Sequence, residues 1–176
     1  MKTTETAIFY NPDLTQIING EEVLSPSPFL PHQRISRKLL RILDDFAEPR
    51  ALGEVFHAPL DVIFEDNFNV LQPDVMFICK AKESILQDWV RGVPDLVVEI
   101  VSKGSKRLDT VVKKEIYQRY GVSEFWLIFP EKALLEVYEL RENKFHLCGV
   151  YHAEDQVKSP ILPGLSFTLG SIFPTQ

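Results

Sequence analysis

The sequence predicts an α/β (α+β) domain, on three observations. At 176 residues and 45% hydrophobic content, the chain can bury a real core. Two segments carry a helical period, and several others are β-branched or aromatic runs of strand length. The order is helix, strands, helix, strands, with no internal linker or repeat. Residues 1–176 therefore read as a single domain, with 1–31 an irregular N-terminal segment packed on it.

Turn signals at 11–13 (NPD), 19–20 (NG) and 25–31 (SPSPFLP) break up the first 31 residues, and short strands are expected between Thr15 and Val23. His32 to Phe46 reads as the first helix, because Ile35, Leu39, Ile42, Leu43 and Phe46 fall on one face. Arg34, Arg37, Lys38 and Arg41 lie off that stripe, as a solvated face or a phosphate-facing one. Glu54 to Phe64 reads as a strand, Glu65-Asp66-Asn67 as a turn, and Asp74 to Cys79 as a second strand. Residues 80–93 form a charged connection with a helical turn. Asp95 to Val101 is a third strand, followed by a polar break from Ser102 to Arg107. Leu108 to Tyr120 reads as the second helix, closed by Gly121. At about 100° per residue, Leu108, Val111, Val112, Ile116 and Tyr120 form its apolar stripe. Lys113 then sits at the stripe's edge, Asp109 points inward and Lys114 faces solvent. Phe125–Phe129, Leu134–Leu140, Lys144–Val150 and a short strand in ILPGLSF complete the order.

A net charge of −6 argues against a general nucleic-acid coat. It leaves room for a local basic cleft, and for an acidic cluster neutralised by metal. No apolar run approaches the roughly 20 residues that span a bilayer, so no membrane partner is expected. MKTTETAIFYNPDL lacks a signal-peptide core, and Cys79 and Cys148 lack metal or redox spacing. Both cysteines read as reduced strand residues of a cytoplasmic protein. Gly-rich phosphate loops and zinc clusters are absent from the sequence. Ser102 lacks a nucleophile elbow and reads as a helix cap. FWLIF at 125–129 reads as core or a dimer surface rather than a base-stacking platform.

The chemistry gathers around two similar segments, QPDVMFICK at 72–80 and VPDLVVEIV at 93–101. Each places Pro-Asp before an apolar strand, where Pro costs no ladder bond and Asp can accept turn hydrogen bonds. Glu99 differs, because it lies inside its strand and needs a cation or several donors. If the two strands pair antiparallel, Asp74 meets the Glu99 end and Asp95 meets Cys79. Asp95 and Glu99 share a face but lie about 13 Å apart, at roughly 3.3 Å per residue. Asp74 with Glu99 is the better metal pair, and the backbone carbonyl of Ile100 is a further candidate ligand. Hard cations such as Mg²⁺, or Mn²⁺, suit carboxylate oxygens. Asp109 and Lys113 can form an ordinary i,i+4 helix pair. A lysine beside two carboxylates is also a phosphodiesterase arrangement.

At these residues the sequence resembles the Uma-two-type restriction-endonuclease-like family of the PD-(D/E)XK nuclease superfamily. The matching segments are HQRIS at 32–36, PDVMF at 73–77, PDLVVEIVS at 94–102, the Asp109…Lys113…Tyr117 spacing and GVSEFWLIFP at 121–130. The resemblance implies a restriction-endonuclease-like core, with a mixed central β-sheet flanked by helices and additional antiparallel strands. It implies a Mg²⁺-dependent endonuclease acting on DNA, with catalytic Asp74, Glu99 and Lys113. Two positions depart from the pattern. Val101 stands where the superfamily places lysine, and Lys113 on the following helix matches the family's lysine. Phe129 replaces an acidic residue before Pro130. Glu21, His32, Gln33, Asp95, Ser102 and Asp109 are accessory candidates. For His32 the plainer expectation is a local hydrogen bond at the helix start, and for Glu21 a turn charge. A homodimer is expected, since cutting a duplex needs two incisions. The alternative is a non-catalytic nucleic-acid- or protein-binding module on the same fold.

Overall fold

The computed structural model describes residues 14–25 and 27–174. The turn expected at 11–13 and the rest of 1–13 lie outside them. Asn19 and Gly20 take φ of 52° and 82°, the two positive values that a tight hairpin turn demands. They join β1 (Thr15–Ile18) to β2 (Glu21–Leu24), so the short strands expected between Thr15 and Val23 form a hairpin within the N-terminal segment. This hairpin forms a sheet with β4 (Val62–Glu65), β5 (Asn69–Leu71) and β7 (Val90–Arg91).

The central sheet contains β3 (Gly53–His57), β6 (Val75–Cys79), β8 (Leu96–Ile100), β9 (Glu124–Phe129), β10 (Leu134–Arg141) and β11 (Lys144–Tyr151). Its order is β11-β10-β9-β8-β6-β3. The sheet is mixed, as expected: β8 and β9 run parallel and the other neighbours antiparallel. Parallel neighbours need a crossover. Here a π-helical turn, Leu108–Lys113, and helix α2, Lys114–Tyr120, supply it. A small hairpin of β12 (Gln156–Lys158) and β13 (Ser166–Thr168) follows.

Each face of the central sheet is covered by a helix. Helix α1 spans Leu30–Ala47, starting two residues before the expected boundary. Its Ile35, Leu39 and Leu43 pack on Val75, Leu96, Val98 and Ile100. On the other face, Ile116 and Tyr117 pack on Val97, Val101, Phe125 and Leu127. Strand alternation therefore turns Leu96, Val98 and Ile100 toward α1, and Val97, Glu99 and Val101 toward the crossover helix.

Two expectations fail. Glu54 to Phe64 is not one strand: β3 ends at His57, and β4 begins at Val62 in the other sheet. Pro59 in the gap has no N–H to give a ladder. On the second helix, Val111 is 45% exposed, while Asp109, Lys113, Ile116 and Tyr117 are buried. The inward face is thus half polar. Across the π-helical turn an i→i+5 pattern also replaces the regular wheel. Both cysteines are free, as expected. No helix among the described residues is long and apolar enough to cross a membrane.

Candidate active site

Two Pro-Asp strands pair with the register Val75↔Val98, Met76↔Val97 and Phe77↔Leu96. Continuing that ladder by one residue sets Asp74 opposite Glu99. Asp74 stands just before β6, and its Oδ2 accepts the Ile100 N–H at 2.7 Å. His32 reaches the same oxygen from α1, with Nε2 at 3.2 Å. The local hydrogen bond expected for His32 is therefore replaced by a long-range contact that clamps Asp74 between helix and sheet.

Glu99 is only 2% exposed. Lys113 Nζ donates to its Oε1 at 3.1 Å and its Oε2 at 3.0 Å. Tyr117 donates its hydroxyl to Oε1 at 2.5 Å. Asp109 adds a second carboxylate, with Oδ1 3.6 Å from Nζ. Asp109, Lys113 and Tyr117 are four residues apart, so they share one helix face over Glu99. Lys114 is not turned to open solvent as expected: its Nζ lies 3.3 Å from the centroid of the Tyr138 ring, away from the carboxylates.

Burial pushes Glu99 up to about 8, against the pull of Lys113, with Asp109 and Asp74 adding to the rise. Burial works against the Lys113 ammonium, but Glu99, Asp109 and Asp74 together raise its pKa. Lys113 therefore keeps its proton, and Glu99 is the member of the pair that titrates. Burial foremost also raises Asp109. Burial, then the Glu99 charge, holds the Tyr117 phenol well above its ordinary value, so it remains a donor. Burial lowers His32, but the hydrogen bond and charge of Asp74 outweigh it and leave a net rise. His32 Nδ1 is buried with no hydrogen-bond partner among the described residues.

The other candidates lie elsewhere. Asp95 sits at the far end of the ladder, where Oδ2 accepts the Cys79 N–H at 2.8 Å and Oδ1 pairs with Lys82 at 2.9 Å. It secures the start of β8 and takes no part in the cluster. Glu21 is an exposed residue of β2 paired in register with Ile18, and Gln33 is exposed on α1. Neither is brought to the carboxylates. Ser102 and Ser105 place their hydroxyls 2.9 Å apart, and each hydroxyl accepts the other's backbone N–H, so Ser102 closes the turn before the second helix rather than capping the helix itself. Two buried polar groups were not singled out. Tyr117 stood in the matched spacing without a role, although its i+4 position from Lys113 was the available signal. Glu124 is fully buried and accepts from Trp126, Ser159 and the Ile161 N–H. It ties the C-terminal segment to β9.

Among the described residues, no three His, Cys, Asp or Glu side chains form a ready-made metal cluster. Asp74, Glu99 and Asp109 nevertheless crowd carboxyl groups into one place: Asp74 and Asp109 disfavour ionisation of Glu99, and Asp74 that of Asp109. That crowding, with oxygen donors only, is what a hard cation with retained waters relieves.

A family model described as "Uma2: Putative restriction endonuclease" matches residues 9–170. Among solved structures, the chain is similar to a "putative nuclease belonging to DUF820 from Anabaena variabilis ATCC 29413". The TM-score is 0.76 at 18% identity, covering 90% of this chain and 89% of that one, a likeness of fold alone. The type IIG restriction endonuclease BpuSI aligns at a TM-score of 0.41 and 16% identity, over 71% of this chain and 14% of that one. No curated protein matches the chain.

Proposed function

The chain belongs to the Uma2 family of restriction-endonuclease-like proteins, and from that premise we propose that it is a divalent-metal-dependent endonuclease hydrolysing DNA phosphodiester bonds. The observation that carries this reading is the buried Lys113 ammonium on the Glu99 carboxylate, one ladder step from Asp74. An acid, an acid and a lysine in one place suit phosphodiester hydrolysis better than any structural need, since burying these groups is costly.

Asp74 and Glu99, with the Ile100 carbonyl, would hold Mg²⁺ or Mn²⁺. A bound cation of this kind lowers the pKa of water and neutralises charge on phosphate. The protein's own groups do the positioning. His32 and the Ile100 N–H both bind Asp74 through Oδ2, which leaves Oδ1 for a cation. Tyr117 fixes the Glu99 rotamer by its bond to Oε1. Lys113 favours the ionised form of Glu99 and carries a fixed positive charge for the pentavalent phosphate. Asp109 pairs with the same ammonium at 3.6 Å. Val101 could not serve there, and a lysine from the crossover helix reaches the same carboxylate. A two-fold dimer would supply two such centres for the two strands of a duplex.

The test is nicking of supercoiled plasmid DNA in Mg²⁺ or Mn²⁺ by wild type and by Glu99→Gln. Wild type should nick, and the variant should be slower by at least about 100-fold. Equal cleavage by both would exclude this centre. Absence of cleavage with either metal, with DNA binding retained, would support the non-catalytic binding module instead.

A further inference from the structure

The basic residues of α1 are not equivalent. Lys38 is engaged, donating to the Ser171 and Phe173 carbonyls at 2.9 and 2.8 Å. Arg41 lies 3.7 Å from Asp45 along the helix. Arg34 and Arg37 are exposed and make no hydrogen bond or ion pair among the described residues. They are three residues apart on one helix face. With Gln33, Leu40 and His57 they line a cavity of about 540 Å³.

This cavity adjoins the carboxylate centre through two covalent neighbours. His32, next to Gln33, touches Asp74. His57 ends β3 opposite Val75, the residue after Asp74, and the Ala58 N–H donates to the Asp74 carbonyl at 3.2 Å. Two unpaired guanidinium groups and an imidazole therefore line a groove on the α1 face of the sheet, joined to Asp74 through His32 and Ala58, in a chain whose net charge is −6. Free arginines on the helix that also holds Asp74 through His32 have a specific use. A polyanion must approach carboxylates that repel it, and guanidinium groups take phosphate oxygens in a bidentate way.

We propose that Arg34 and Arg37, with His57 at the cavity wall, form a phosphate-binding track. It would grip the DNA backbone beside the scissile phosphodiester and set the strand's approach to Asp74 and Glu99. The proposal rests on the endonuclease reading and adds the residues that bind substrate. Gln33 gives the track a neutral donor and acceptor. Backbone contact of this type carries no base preference.

The experiment measures binding of a fluorescein-labelled 20-base-pair duplex by fluorescence anisotropy in EDTA, across a salt series. The proteins are wild type, Arg34→Ala/Arg37→Ala, and Lys144→Ala as a charge control from the distant β10–β11 turn. Both arginines are exposed, so the double variant should fold; circular dichroism checks this. It should bind about tenfold more weakly, with the slope of log K against log salt reduced by about 2, while the control matches wild type. In plasmid nicking it should show raised KM with kcat nearly retained. Wild-type affinity and slope in the double variant would overturn the track, even if wild type cleaves DNA. An equal loss in Lys144→Ala would also overturn it, because general charge would then explain binding. Weakened binding without cleavage by wild type would sustain the track and remove the endonuclease reading. Absence of DNA binding by wild type would overturn both.

Discussion

Replacing Lys113 by Met removes an ammonium that is 4% exposed and bonded to both oxygens of Glu99. The methionine fills much of the same volume, so the change is chiefly electrostatic. Glu99 has an ordinary pKa of 4.5 and is raised to about 8 in the fold. A raised carboxylate contributes stability that is present below pH 4.5 and is lost as pH climbs toward 8. Above that value the folded wild type ionises beside Lys113, and the loss stops. Without Lys113 the carboxyl has no cation, so its ionisation moves further up. The variant then keeps losing stability by about 1.4 kcal/mol for each pH unit. Near neutral pH the two proteins should already differ by about 1–3 kcal/mol, from lost hydrogen bonds and the unpaired Asp109. From pH 8 to 9.5 the gap should widen by roughly 2 kcal/mol, at that same rate per unit. Urea unfolding in EDTA, followed by the fluorescence of buried Trp126, reads this directly. A gap that stays constant from pH 6.5 to 9.5 would refute the claim that Lys113 is what lets Glu99 ionise.

Three further outcomes follow from the same contacts. Tyr117→Phe keeps the ring but deletes the donor to Glu99 Oε1; it should cost about 1–2 kcal/mol in urea unfolding and lower kcat for nicking more than it changes KM. Glu124→Gln should destabilise by about 1–3 kcal/mol, because a carboxamide cannot accept from Trp126, Ser159 and the Ile161 N–H at once; a melting temperature equal to wild type would discard that role. Gly53→Ala should prevent stable folding at 37 °C, since a Cβ there would stand 2.0 Å from the Ile78 carbonyl oxygen at φ +153°; normal soluble expression and unfolding would contradict the close approach of β3 and β6.

What sequence alone determined here is local or depends on a single pairing. The 3.6-residue period of Ile35, Leu39 and Leu43 specified α1, because one apolar stripe must find a core. The repeated Pro-Asp before an apolar run marked two strand starts, and antiparallel pairing alone then sets Asp74 by Glu99 and Asp95 by Cys79. Lys113 was legible for the same reason: a helix wheel puts it, and not Lys114, toward the sheet.

Only the tertiary structure decided the rest, wherever a polar group answers a partner distant in sequence. His32 lies 42 positions from Asp74 in the numbering, and no local pattern tells a helix-start histidine from one that clamps a carboxylate. Tyr117 stood in the matched spacing without a role, and only the packed helix places its hydroxyl on Glu99. Hydrophobic periodicity put Val111 inside because it weighs only apolar character; the helix wheel turned Asp109 inward too, but offered it no partner beyond Lys113. The fold inverts that weighting by setting Asp109 and Lys113 against Glu99, where opposite charges offset each other's burial. The same holds for the arginines of α1: their sequence is uniform in charge, and only packing engages Lys38 while leaving Arg34 and Arg37 free along a groove. Periodicity reports what water excludes, whereas a site is made of charges held together against that tendency, and only the assembled chain specifies which charges meet.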